Sequence, residues 1–259
     1  MLFQNFKLKE TSNDVQNVYF FGLINNVPAI YIFPFKKINN EEFFKISNEK
    51  NELINQNDIY YVYSTFIPLS FKYRLVYPAT TEHLIKYNLK MIFKKETYAE
   101  YLQQSEKMSL NWIKNIFEGK TNEKIYYQDE CMVLINNYKW DGLNVNNIQL
   151  LIIFKNSNLK SIRDLDSVEL LYNAKNIIIQ NIKNFGLTYN DIVCFFHYKP
   201  TYDHLHLHIC NINLEGDPSM SVTRARLLED VIYNIELDKN YYKRDIWHSM
   251  KKINISTKF

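Results

Sequence analysis

Cysteine is scarce in this sequence: Cys131, Cys194 and Cys210 are the only three in 259 residues, each sits in an apolar stretch, and none forms a C-x-x-C pair. That excludes a disulfide scaffold and leaves buried, reduced thiols as the reading. Glycine is equally thin, at five residues, and no stretch rich in Pro, Gly and Ser separates one half of the chain from the other. No apolar run approaches the length of a membrane span, and the opening segment MLFQNFKLKETSND lacks the apolar core of a secretion signal. A soluble intracellular protein without a membrane partner is therefore expected. The formal charge is only +3, too little to argue for binding long nucleic acid, although a local basic patch can still serve a short phosphate-bearing ligand. No internal repeat is evident, and low-complexity runs such as Asn144 to Asn147 stay short.

What is present has the balance of a globular protein: 46% hydrophobic and 23% charged residues, with aromatics high at 15%. The first third reads as strands. Asn17–Leu23 and Ala29–Phe35 are aromatic and β-branched runs joined by a turn over Ile24–Pro28, and Asp58–Phe66 and Tyr73–Tyr77 alternate in the strand manner. Glu41–Ile46 is a candidate short helix. After Pro78, Thr80 can cap a long helix over His83, Leu84, Tyr87, Leu89 and Ile92, which we expect to connect two modules. Further on, Ser109–Phe117 repeats apolar residues at helical spacing. Strands are expected over Lys124–Tyr127, Cys131–Ile135 and Gln149–Phe154. Asp166–Glu169 looks like a capping box opening a helix that ends at Gly186. Ile192–His197 and His204–Ile212 are strands around a Pro-containing turn, followed by a helix over Arg226–Ile235 and a last strand near Arg244–Ser249. The fold class is α+β, with a β-rich module over residues 1–90 and, over 91–259, an antiparallel sheet with flanking helices.

The sharpest feature is Asp203-His204-Leu205-His206-Leu207-His208-Ile209. Strand side chains alternate, so His204, His206 and His208 are expected on one face and the apolar residues on the other. Half of the six histidines then share one strand face. Two chemistries suit such a face: zinc ligation by neutral imidazoles, and phosphorus chemistry in which one imidazole attacks while its neighbours fix its tautomer. Zinc wants a further carboxylate or Cys ligand, and the adjacent Asp203 should point away. His197 ends the preceding strand, and Lys139, Lys199 and Arg224 suit phosphate better than metal. Phosphate is favoured, with no metal and no cofactor.

The run His204 to Cys210 matches the histidine-triad signature of alternating His and apolar residues. The longer segment His197-Tyr198-Lys199-Pro200-Thr201-Tyr202-Asp203-His204 resembles the scavenger mRNA decapping branch (DcpS) of that superfamily. So do Leu110–Ile116, Lys139-Trp140, Ser161–Leu165 and Arg224–Leu228, with shorter echoes in Asn57–Tyr60 and in Val76–Thr80 with Lys86. The resemblance is dense from about 105 to 248, patchy from 57 to 87 and weak before that. It implies a histidine-triad-like catalytic domain and an m7GpppX diphosphatase, cleaving capped dinucleotides or short capped RNA to 7-methyl-GMP and a nucleoside diphosphate through a covalent nucleotidyl-histidine. His206 matches the nucleophile, with His204 and His208 binding phosphate oxygens or orienting it, and His197 contacting phosphate. Lys139, Lys86 and Arg224 would neutralise the triphosphate bridge.

A 7-methylguanine carries positive charge and binds best against electron-rich rings. Trp112 matches the family's stacking tryptophan and falls outside the Leu110–Ile113–Ile116–Phe117 stripe; the competing reading is a core tryptophan. Tyr138 would cover the other base face. Asn57, Lys86, Thr201 and Tyr202 would complete the pocket. Glu123, with Asn122 as the fallback, would read the guanine edge, and Asn137 stands where relatives carry an Asp for the ribose. Asp203 replaces a common aromatic and Lys199 a common apolar residue, departures that bear on affinity and base discrimination. The resemblance also implies a domain-swapped homodimer, acting in the cytoplasm with the nucleus as a second candidate. Rival readings are a histidine-triad hydrolase of dinucleoside polyphosphates, usually a shorter protein, and a cap-binding regulator with little turnover.

Overall fold

The computed structural model describes residues 5–13, 17–34, 51–65, 71–87, 91–104, 108–214, 217 and 220–251. The chain clusters into two compact units, one formed mainly by Met1–Met91 and the other by Ile92–Glu118 with Glu123–Met250. The helix expected over Glu41–Ile46 lies outside the described residues. No helix among the described residues is long and apolar enough to cross a membrane.

The first unit is a six-stranded antiparallel sheet. Its strands are β1 (Phe6–Asn13), β2 (Asn17–Ile24), β3 (Val27–Pro34), β4 (Glu52–Asn57), β5 (Tyr60–Thr65) and β6 (Phe71–Val76), in the spatial order β1-β2-β3-β6-β5-β4. The β2–β3 hairpin closes through Asn25 and Asn26, both at positive φ (52° and 66°), the turn geometry that asparagine tolerates and that matches strand twist. Both faces of its central strands are buried. Val18, Phe20, Tyr31 and Phe33 enter one apolar cluster; Tyr19, Phe21, Ile30 and Ile32 enter another with Val76 and Tyr87. The strand expected over Asp58–Phe66 is present as β5, but it starts at Tyr60 because the chain turns at Asp58 (φ 53°) to pair Asn57 with Tyr60, and Phe66 lies outside the described residues.

The long connecting helix is not formed. Helix α1 spans only Thr81–Lys86, and by Met91 the chain is strand β7 (Met91–Glu96). Thr80 does cap α1, bonding His83 Nδ1 through both its backbone N–H (3.1 Å) and its hydroxyl (2.8 Å). The helical reading fails because Ile92 and Phe93 favour extended backbone and β7 finds a partner strand more than 140 residues away, beyond the reach of local periodicity.

In the second unit, helices α2 (Tyr98–Leu102) and α3 (Asn111–Phe117) precede strands β8 (Ile125–Gln128), β9 (Met132–Asn136) and β10 (Gln149–Phe154). Helix α4 (Glu169–Ile182), β11 (Ile192–His197), β12 (His206–Asn211), β13 (Ala225–Leu227), α5 (Leu228–Leu237) and β14 (Ile246–Lys251) follow. The antiparallel sheet runs β13-β11-β12-β10-β9-β8, while β14 pairs with β7 as a separate ribbon. The capping box expected at Asp166–Glu169 is absent: Val168 is the N-cap without a side-chain bond, and Ser167 bonds the Glu169 side chain instead. The helix does run out at Gly186, whose φ of 72° suits glycine. Arg226 lies in β13, not in the helix after it.

The sheet's two faces differ. One is covered by α4 and α5, with Leu171, Ala174, Ile177 and Ile178 packing with Leu207, Ile209, Phe196 and Ile152. On the other, Ile113 and Ile116 of α3 pack against Val133, Ile135, Leu151 and Ile153, each such buried side chain stabilising the fold by about 1.5–3 kcal/mol. The strip of that second face over β12 and β11 carries the histidines.

Candidate active site

Register alone sets the centre of the site. In β12, Leu207 and Ile209 enter the core, so His206 and His208 project from the opposite face. Opposite them across β10 stand Ile153 and Leu151, and across β11 Phe195 stacks on His208 with ring centroids 5.2 Å apart. His197, at the end of β11, brings a third imidazole to the same place: its ring lies 4.2 Å from His208 and 6.4 Å from His206, and His206 lies 5.1 Å from His208. One ring nitrogen from each of the three falls within 4.8 Å of the others.

His204 is not the third member of that face, which corrects the expectation of three aligned rings. The strand begins at His206; at His204 the chain still bends, with the His204 N–H bonded to the Tyr202 carbonyl at 2.8 Å and the Leu205 N–H to Leu159 at 2.7 Å. Strand alternation holds only where the ladder exists. The His204 ring is buried near Phe117 and its Nε2 donates to the Phe154 carbonyl at 2.6 Å. Burial lowers its pKa even though the Phe154 carbonyl favours the protonated form. Its main chain matters more: the His204 carbonyl accepts from His206 Nδ1 at 2.8 Å. A carbonyl only accepts, so the proton of a neutral His206 sits on Nδ1 and the lone pair on Nε2.

His208 Nε2 is shielded from solvent and bonded to nothing. Its pKa is held well below the usual range, first by burial, then by the positive charge that His197, His206, Lys139 and Arg224 can bring. A neutral ring follows. Lys139 is placed by a tight turn after β9, where the Asn137 side-chain oxygen accepts the Lys139 N–H (3.2 Å) and the Trp140 N–H bonds the Asn137 carbonyl (2.9 Å). The Trp140 indole is buried in the core and donates to the Asn144 carbonyl at 2.8 Å. Asn137, expected at the ribose, is itself buried and engaged in this turn. Arg224 is tied by its carbonyl to the Tyr198 N–H at 2.7 Å. A residue absent from the sequence reading, Asp217, pairs with Lys139 Nζ at 3.0 Å.

Trp112 sits half-buried on α3 beside the same sheet face, and its ring meets Tyr202 edge-on at 5.1 Å. Thr201 and Tyr202 lie in the bends before His204, Glu123 just ahead of β8, and Tyr138 has 57% of its surface exposed. Tyr202 is thus a ring set against Trp112. Asn57 and Lys86 belong to the first unit, where both adjoin Tyr60: Asn57 opposes it across the hairpin, and Lys86 Nζ lies 5.7 Å from its ring.

Two family profiles match the chain, that of the scavenger mRNA decapping enzyme (DcpS) N-terminal region over residues 2–90 and that of the scavenger mRNA decapping enzyme C-term binding region over residues 111–222. The m7GpppX diphosphatase of Caenorhabditis elegans is 33% identical over 209 residues, covering 74% of this chain and 67% of that one. The Ascaris suum m7GpppX diphosphatase is 32% identical over 209 residues (74% and 69%), and that of Schizosaccharomyces pombe 30% over 207 (71% and 68%). The chain belongs to the scavenger mRNA decapping enzyme family.

In this decapping-family member a buried polar network secures the turn between His197 and Tyr202. Arg163 is fully buried; its guanidinium donates to Tyr198 Oη and to the carbonyls of Tyr242 (3.1 Å), Arg244 (2.8 Å) and Glu96 (2.8 Å). The Glu96 carboxylate, 3.6 Å from Arg163, accepts from Tyr198 Oη and Gln104, and Lys199 Nζ stands 3.4 Å away. Burial alone would raise the Glu96 pKa, but the Tyr198 hydroxyl, Lys199 and Gln104 outweigh it and hold the carboxyl below its usual value. Lys199, expected among the phosphate cations, is therefore engaged with Glu96.

Proposed function

We propose that this chain is a scavenger decapping hydrolase that cleaves 7-methylguanosine(5′)ppp(5′)N remnants and short capped RNA to 7-methyl-GMP and a nucleoside or RNA 5′-diphosphate. The observation that carries the reading is the bond from His206 Nδ1–H to the His204 carbonyl, which puts the His206 lone pair on Nε2 in the midst of His197 and His208. Nε2 attacks the phosphorus next to the methylguanosine, forming a P–N bond as the P–O bond to the middle phosphate breaks and the diphosphate leaves with that electron pair. The imidazolium so formed keeps its Nδ1–H on the carbonyl. Water then attacks the same phosphorus, the P–N bond breaks back to Nε2, and the water's proton passes to solvent. Diphosphate is a stable leaving anion, so no dedicated general acid is required. Cationic Lys139 and Arg224 offset charge developing on the bridge.

Trp112 and Tyr202 are the rings on which we place the charged base, with Glu123 at its edge and the exposed Tyr138 over its other face. Asn57 and Lys86, together at Tyr60, are read as the first unit's share of substrate contacts. The family also leads us to propose a homodimer with exchanged N-terminal units, active in the cytoplasm and, as a second site, the nucleus.

The test is hydrolysis of methylated and unmethylated cap dinucleotides and of diadenosine tetraphosphate, with and without EDTA, by the wild type and His206→Asn. We expect cleavage that survives EDTA, favours the methylated cap and falls by more than about a thousandfold in the variant. Loss of activity in EDTA, or a variant that still turns over, would overturn the mechanism. Faster cleavage of diadenosine tetraphosphate would overturn the substrate.

A further inference from the structure

Lys139, one of the cations that would meet substrate phosphate, is already engaged with an acid of this chain. Lys139 Nζ lies 3.0 Å from Asp217 Oδ2 and 3.4 Å from Oδ1, and the Asp217 side chain is almost wholly buried. Arg224 is close enough for the Asp217 charge to offset part of the lowering that burial imposes on its pKa. The same two cations act on His208. Cys210, two residues beyond His208 on the same face of β12, feels both Asp217 and Lys139. The carboxylate therefore sits on the cationic side of the histidines, not at a remote surface.

A carboxylate there offers what a phosphate offers: negative charge and acceptor oxygens for an ammonium and a guanidinium. It carries one charge, whereas a triphosphate bridge carries several and a released monophosphate about two at most. We propose that Asp217 is a specificity-determining residue that holds Lys139 in place of substrate and competes with bound phosphates for it. A polyphosphate chain has the largest advantage over it; a monophosphate product has a smaller one and is released more readily. Only the identity of the substrate rests on the decapping reading, since the competition is for phosphate as such.

Asp217→Asn keeps the shape and removes the charge. The direct probe is inorganic pyrophosphate, titrated calorimetrically into wild type and variant. We expect the variant to bind it about three- to tenfold more tightly, the range for one partly buried ion pair, and the KM for cap dinucleotide to fall by a similar factor without a rise in kcat. Pyrophosphate bound no more tightly, or more weakly, would overturn the proposal and make Asp217 a residue that merely orients Lys139. Should the variant not fold, a crystal structure of the wild type with pyrophosphate decides instead. Asp217 moved out of ion-pair distance from Lys139 supports competition, and an intact pair refutes it. If the wild type cleaves no cap dinucleotide, the decapping reading falls, yet the pyrophosphate titration still judges Asp217.

Discussion

Replacing Arg163 with Met keeps most of the side-chain volume while deleting a guanidinium with no solvent exposure. Three carbonyls, those of Glu96, Tyr242 and Arg244, lose their donor, and so does Tyr198 Oη. The Glu96 carboxylate loses a cation at 3.6 Å but keeps Lys199 at 3.4 Å. Breaking a buried pair from one side costs about 3–5 kcal/mol. Because Lys199 still compensates part of the Glu96 charge, we place the loss near the lower end, about 3 kcal/mol. Urea denaturation followed by tryptophan fluorescence is the assay, since Trp112, Trp140 and Trp247 all lie in the second unit and report on it alone. Arg163→Lys, which keeps the charge but not the fork of donors, should fall between the two. A loss below about 1 kcal/mol in the Met variant would mean that the network contributes little and that Tyr198 is held by packing.

Two further outcomes are expected. His83 is buried with its pKa lowered to about 4, by burial first and by Lys86 second. The unfolded chain therefore binds a proton below about pH 6.5 that the folded chain refuses until about 4, and the first unit should lose about 3 kcal/mol of stability as pH falls through that window. Amide exchange of residues 17–34 measures it, and equal protection at both ends of the window refutes it. Trp112→Ala should raise KM for the methylated cap by about tenfold, the value of one desolvated cation–π contact, and change KM for the unmethylated cap far less. Equal effects on both would return Trp112 to the core.

The elements that sequence read best are those whose two faces are both covered. Gln149–Phe154 and Ile192–His197 have the bounds expected of them, because an uninterrupted apolar run between polar ends leaves little room for error. Edge strands were the ones missed. β1 and β4, the outermost strands of the first sheet, carry Lys7, Lys9, Glu10, Glu52, Asn55 and Gln56, and strands with one free side need no apolar pattern. Asp217 had no local signal either, since its partner stands 78 residues away and neither residue's neighbours betray the pair.

The triad shows where pattern and geometry part company. Alternation places His206 and His208 together because a ladder runs through both, and it misplaces His204 because the ladder has not yet begun. Yet the spacing from His204 to His206 still has a chemical consequence. With the chain bent at 204, the carbonyl of one histidine lies within hydrogen-bond reach of the ring two residues on, and the first ring anchors that bend by donating to the Phe154 carbonyl. The role of His204 thus passes through its main chain, and its buried imidazole supports the geometry that sets the tautomer of His206. The third ring of the cluster is supplied by His197, from the neighbouring strand.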